Sequence, residues 1–109
     1  MVELCRGAVA FIGKPLNGIK RLGVLLQTNA FNSLPSVLVC PIPGSDVDAP
    51  FLRVRLDPSD ALPLQFTMWA MAELMTAIPK SEVGTVIGHM SSEQQKALDR
   101  SIIMIAGIA

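Results

Sequence analysis

The sequence predicts a mainly β fold, a small twisted antiparallel sheet or partly open barrel packed on a C-terminal helix. Three observations lead there. Short apolar runs are punctuated by Gly, Pro, Asn and Asp along most of the chain. The run Phe51–Leu56 (FLRVRL) alternates strictly, with Phe51, Arg53 and Arg55 on one face and Leu52, Val54 and Leu56 on the other. That period-two pattern marks a half-buried strand. Finally, Ser91 and Ser92 stand three residues ahead of Gln94 and Gln95, a capping-box pattern in either register.

Taken in order, Gly7–Ile12 (GAVAFI) reads as a first strand, closed by a turn-rich loop containing Gly13, Pro15, Asn17 and Gly18. Arg21–Gln27 (RLGVLLQ) is almost continuously apolar, as a strand covered on both faces would be. Ser36–Ile42 (SVLVCPI) is the third strand, and Pro41 places its end at an edge or bulge because proline has no N–H to donate. Gln65–Met75 (QFTMWAMAELM) mixes helix and strand formers, and its place among strands favours strand. Pro79–Val83 is expected to form a short helical turn and Thr85–Met90 a last strand. In the terminal helix Leu98, Ile102, Ile105 and Ala109 make an apolar stripe, Ile103 and Met104 lie off it, and Gly107 weakens the last turn.

Composition narrows the function classes. The 109 residues suit one compact domain, 1–109. Half are hydrophobic and 17 % charged, which argues against disorder. The apolar excess implies either a rich core or a face buried against another chain. Nine basic residues balance nine acidic ones, so a nucleic-acid site must rest on a local patch. With one Trp and no Tyr, a base-stacking platform is not expected, and Trp69 reads as buried at a sheet or dimer surface. Met68, Met71, Met75, Met90 and Met104 read as packing residues. Cys5 and Cys40 match no metal-ligand spacing and read as small apolar fillers. No metal or other cofactor is implied. Met1–Arg6 has no basic stretch leading into a long apolar one, and Ile102–Ala109 is too short to span a bilayer. A cytoplasmic protein with reduced thiols and no membrane contact is the expectation.

Four stretches, in order, resemble the MazF/PemK toxins. Arg6-Gly7-Ala8-Val9 is similar to that family's opening Arg-Gly-Asp/Glu-Val. Lys20–Asn32 (KRLGVLLQTNAFN) resembles its Arg-Pro, apolar run, Gln-x-Asp-x-Phe-Asn. Ser36–Ile42 followed by Val47–Val54, and Ile78–Gly88 (IPKSEVGTVIG), which resembles Val-Pro-Lys-x-x-Leu-Gly-x-x-Ile-Gly, complete the set. The resemblance implies an SH3-like barrel, a homodimer, a cognate antitoxin partner, and an endoribonuclease that cuts single-stranded RNA.

That chemistry lets a 2′-hydroxyl attack the neighbouring phosphate and requires a base, an acid and donors for the charged phosphorane. The family is thought to use an arginine at the start of its second strand and a Thr or Ser after its third. Arg21 matches the arginine, whose planar fork pairs with two phosphate oxygens. Pro43 stands where the hydroxyl is expected, and Ser45, two residues on, is the nearest replacement. Lys14, Lys20, Arg53, Arg55, Glu73 and Thr76 complete the expected RNA-binding set, with a solvated strand face as the other reading of Arg53 and Arg55. Ala8, Leu22 and Leu74 depart from the acidic, proline and polar residues usual in the family. His89, beside the helix start, is a further candidate base. Two alternatives stand beside the ribonuclease: an inactive homologue that binds antitoxin or RNA, and a gyrase poison of the CcdB kind, whose tail Ile105–Ala109 only faintly resembles because Ala106 replaces tryptophan.

Overall fold

The computed structural model describes residues 5–16, 19–26, 34–42 and 53–107, without the side chains of 14–16, 19 and 20. The elements are β1 (Ala8–Leu16), β2 (Ile19–Leu25), β3 (Ser36–Ile42), β4 (Arg53–Leu56), β5 (Met68–Met71), β6 (Thr76–Pro79), β7 (Val83–His89) and α1 (Ser92–Ala106). Five strands form one antiparallel sheet in the order β6-β3-β2-β1-β7, and β4 pairs with β5 in a separate ribbon. The mainly β architecture with one C-terminal helix is as expected.

The apolar run of the second strand is covered on both faces. Val24 belongs to a cluster with Val9, Cys40, Leu56 and Leu98, which joins the sheet to the ribbon and to α1. Its neighbour Leu25 belongs to a second cluster, with Ala8, Ile12, Val37 and Val39. Ile78 of β6 and Val83 and Val86 of β7 pack on that second cluster. The two outer strands thus serve one cluster, so the sheet curls toward a partly open barrel. Ala8 is fully buried there, where a carboxylate would lose its hydration, so the small residue suits the site.

Several sequence expectations need correction. β1 runs on through Gly13 and Pro15 to Leu16, with an irregularity in its β2 pairing between Ile12 and Leu16. The Gln65–Met75 strand shrinks to Met68–Met71. Its pairing with β4 ends at Arg53↔Met71, and Ala72–Leu74 then close a 3-10 turn in which Met75 N donates to Ala72 O at 3.1 Å. β6 was not foreseen, because its four residues carry no alternation of their own and are held by pairing with Ser36–Val39. β6 stops opposite Val39, so Pro41 faces β2 alone and its missing donor costs no ladder bond on the other side. The 3-10 turn Lys80–Glu82 sits where a helical turn was expected.

The helix begins on Ser91. Its Oγ accepts from Gln94 N at 3.1 Å, and Gln94 Oε1 accepts from Ser91 N at 2.7 Å. Gly107 ends the helix rather than weakening it: at φ +73° it takes the left-handed cap that other residues adopt at a cost. The buried side of α1 is Leu98 and Ser101, with Ile102 half-buried. Ile103, Met104 and Ile105 are exposed at 39, 56 and 40 %, so neither Ile105 nor Met104 is a core residue within this chain. Met90 is buried, and Met68 and Met75 pack on the core as expected. Arg6 ties the segment before β1 to α1: its Nε donates to Leu26 O at 3.1 Å and its Nη2 pairs with Asp99 Oδ1.

Truncating Leu98 removes the main helix contact with the core. Leu98→Ala is expected to destabilise the fold by about 3 kcal/mol, read as a lowered midpoint in urea unfolding. Cys40 is a buried free thiol, pushed up to about 12 by burial and, less, by the nearby charge of Glu73. Its proton is retained by the folded state between the unfolded thiol's pKa and that value, so stability falls as pH rises through this window. A thiol reagent at pH 8 is expected to leave Cys40 unmodified until the protein is unfolded.

Candidate functional site

Antiparallel register carries Arg21 to a defined place. On β2 it lies opposite Ile12 of β1, and Ile12 in turn lies opposite Val83 of β7. Gly13 follows Ile12 with φ +68°, in the left-handed region, and the Arg21 guanidinium lies over it. A Cβ at Gly13 would occupy the space that the Arg21 Nη2 fills. The backbone conformation therefore favours glycine here, and a larger residue would displace the flexible end of the Arg21 side chain from its place over the strand. Among the described residues Arg21 has no ion-pair partner, and its side chain is exposed.

Arg21 opens onto a cleft of about 720 Å³. Its polar lining comes from Arg21, Gln65, Thr76 and Glu82. The apolar walls include Phe11, Leu22, Phe66 and Leu74. Phe66 is 54 % and Leu74 49 % exposed, an apolar rim beside the Arg21 guanidinium. Two of the departures from the family pattern, Leu22 and Leu74, thus shape this same cleft. A guanidinium, a hydroxyl and a carboxylate around an open cleft can bind a phosphate, donate to its oxygens and accept a proton.

The expected site residues divide. Arg21 and Thr76 meet in the cleft. Arg53, Arg55 and Glu73 do not: Arg53 Nε pairs with Glu73 Oε2 at 3.2 Å, and Arg55 Nε with Asp57 Oδ1 at 2.9 Å. Hydrogen bonds from Arg55 and then Thr67 hold the Asp57 carboxyl below the usual range. Arg53 and Arg55 face a separate groove of about 570 Å³ against α1, with Trp69 and Arg100, which shares no lining residue with the Arg21 cleft. Lys14 and Lys20 lie on β1 and β2, but their side chains fall outside the described residues, as does Ser45 entirely. His89 is exposed at the Ala8 end of the β1–β7 ladder, the opposite end from Arg21. The sequence reading missed Glu82 and Gly13. Glu82 sits in the Ile78–Gly88 motif but at a position that the family pattern leaves open, and no local signal links it to Arg21. Among the described residues no group of three or more His, Cys, Asp or Glu is placed to hold a metal ion.

If Gly13 seats Arg21, Gly13→Ala is expected to lower the melting temperature and to weaken binding of a short single-stranded RNA, measured by fluorescence anisotropy. Gly107→Ala, at a left-handed cap with nothing near it, is the control: it is expected to cost stability alone.

A model of the family described as PemK-like, MazF-like toxin of type II toxin–antitoxin systems matches residues 9–106. A probable endoribonuclease MazF of Mycolicibacterium smegmatis is 32 % identical over 100 residues, 92 % of this chain and 87 % of the relative. Among solved structures, the Mycobacterium tuberculosis toxin MazF-mt6 superposes with a TM-score of 0.77 at 21 % identity, covering 92 % of this chain and 96 % of that one. A mycobacterial endoribonuclease in complex with its cognate antitoxin gives 0.78 at 20 % identity, with 96 % of each chain covered. MazF from Deinococcus radiodurans gives 0.78 at 15 % identity, over 98 % of this chain and 99 % of that one. These structures share the fold, and with the sequence match along nearly the whole chain they establish that this protein belongs to the PemK-like, MazF-like family of type II toxin–antitoxin toxins.

Proposed function

We propose that this chain, acting as a single domain, is an endoribonuclease toxin that cuts single-stranded RNA in the Arg21 cleft, working in the cytoplasm under the restraint of a cognate antitoxin. The observation that carries the reading is Arg21 itself: an exposed guanidinium without an ion-pair partner among the described residues, seated over Gly13 at an open cleft. A guanidinium without an internal carboxylate on its fork suits the scissile phosphate, because both of its donors remain available to phosphate oxygens. The reaction needs no metal, since the nucleophile is the substrate's own 2′-hydroxyl.

Thr76 supplies a hydroxyl in the same cleft, where Pro43 has removed the one expected after the third strand. Ser45 is the second candidate donor. Lys14 and Lys20, on the hairpin that carries Arg21, would extend the contact along the RNA backbone. Arg53, Arg55 and Glu73 would meet RNA only where it runs past the α1 groove. Homodimerisation is supported by the exposed apolar end of α1, Ile103 to Ile105. The MazF-like relatives support an RNA target over gyrase. The absent hydroxyl at Pro43 favours one second reading, an inactive homologue that retains antitoxin binding.

Long single-stranded RNA incubated with the protein in EDTA is expected to yield discrete fragments with 5′-hydroxyl ends. Arg21→Ala is expected to slow cleavage roughly a hundredfold or more. Uncut RNA together with tight antitoxin binding would replace this reading by the second. Thr76→Val and Ser45→Ala, compared on the same substrate, assign the hydroxyl: the larger loss of rate identifies the donor, and wild-type rates in both would remove side-chain hydroxyls from the site.

A further inference from the structure

We propose that Glu82 is the general base of the Arg21 cleft, taking the proton from the attacking 2′-hydroxyl; this rests on the ribonuclease reading above. Arg21 and Val83 pair with Ile12 from its two sides. Their strands therefore lie two sheet spacings apart, roughly 10 Å. The Arg21 side chain crosses the intervening strand at Gly13, the one position there whose missing Cβ leaves room for it. It is thereby directed toward the strand that begins at Val83, immediately after Glu82. Both side chains line the same cleft. Glu82 is half-buried on the 3-10 turn Lys80–Glu82, which is anchored by Lys80 N donating to Pro35 O at 2.8 Å.

Among the described residues Glu82 makes no side-chain hydrogen bond or ion pair, and it is the only carboxylate lining the cleft. A carboxylate held near a guanidinium but not bonded to it keeps its lone pairs free for a substrate proton. The other charged or titratable groups on the elements packed around this turn are Arg21 and Lys20 on β2, Lys14 on β1, Lys80 on the turn itself and His89 on β7, the side chains of Lys14 and Lys20 lying outside the described residues. The arginine and the lysines are not bases at neutral pH, and His89 lies at the opposite end of the β1–β7 ladder from Arg21.

The step balances as follows. The Glu82 carboxylate takes the 2′-hydroxyl proton, O2′ bonds to phosphorus, and the bond from phosphorus to O5′ breaks. Water protonates the leaving 5′-oxygen, and the carboxylic proton of Glu82 neutralises the hydroxide left behind. The products are a 2′,3′-cyclic phosphate and a 5′-hydroxyl, with Arg21 holding the charged oxygens throughout.

The test is cleavage of single-stranded RNA as a function of pH by the wild type and E82Q. Binding of the same RNA with a 2′-deoxy nucleotide at the cut site is measured in parallel. The wild-type rate is expected to fall with unit slope on the acid side. E82Q is expected to lose roughly a hundredfold in kcat and to lose that acid limb, while binding the deoxy RNA within about twofold of wild type. An E82Q rate near wild type, or an acid limb that persists, overturns the assignment. Should E82Q fail to bind, E82A is assayed with added formate, where recovery of rate supports the assignment and its absence overturns it. A wild type that does not cut RNA at all overturns instead the reading on which the assignment rests.

Discussion

The burial of β2 on both faces constrains everything around it. Val24 packs toward the ribbon and α1 while Leu25 packs into the curled side of the sheet. Side chains alternate along a strand, so a one-residue slip would exchange these two clusters and strand each residue on the wrong face. Register is therefore strongly specified, and with it the place of Arg21 opposite Ile12. The same pairing sets Gly13 beside that level on β1 and Val83 across from it on β7. A packing requirement several residues away thus decides where the arginine of the cleft lies.

Charge is distributed unevenly around this frame. Arg6, Arg53 and Arg55 all meet carboxylates on their own chain, at Asp99, Glu73 and Asp57. The Arg6 and Arg55 pairs are exposed and contribute little to stability, and all three pairs commit their guanidinium groups. Among the described residues Arg21 has no such partner, in a cleft whose walls are otherwise largely apolar. A chain with no net charge can present a phosphate site in this way, since what an anion meets is the local balance of charge rather than the sum. Leu22 and Leu74, which make the cleft less polar than the family pattern, also reduce the water that competes with Arg21 for an anion.

Strands and helix ends were legible where the signal is local. Ser36–Ile42 matches β3 residue for residue, the alternation in Phe51–Leu56 reappears as buried Val54 and Leu56, and the capping box lies at Ser91 and Gln94. What failed depended on partners. The Gln65–Met75 run mixes helix and strand formers and its pairing with β4 ends at Met71, while β6 exists because β3 offers an open edge. The helix stripe drawn from spacing alone included Ile105, which is exposed, because a repeat of apolar residues does not say how far along the helix the core extends.

By itself the sequence determined the mainly β class, the capped helix and the family, because each rests on spacing or on an ordered set of short motifs, and the same motifs singled out Arg21 on the second strand. Tertiary structure alone decided the membership of the cleft. Arg21 on β2 is far in sequence from Thr76 on β6 and Glu82 in the turn before β7, and antiparallel pairing with β1 and β3 brings them to one cleft. It separated Arg53, Arg55 and Glu73 from them by giving those charges one another or Asp57. The physical reason is the same in both directions: composition states which groups a chain possesses, whereas register and sheet order state which of them share a space.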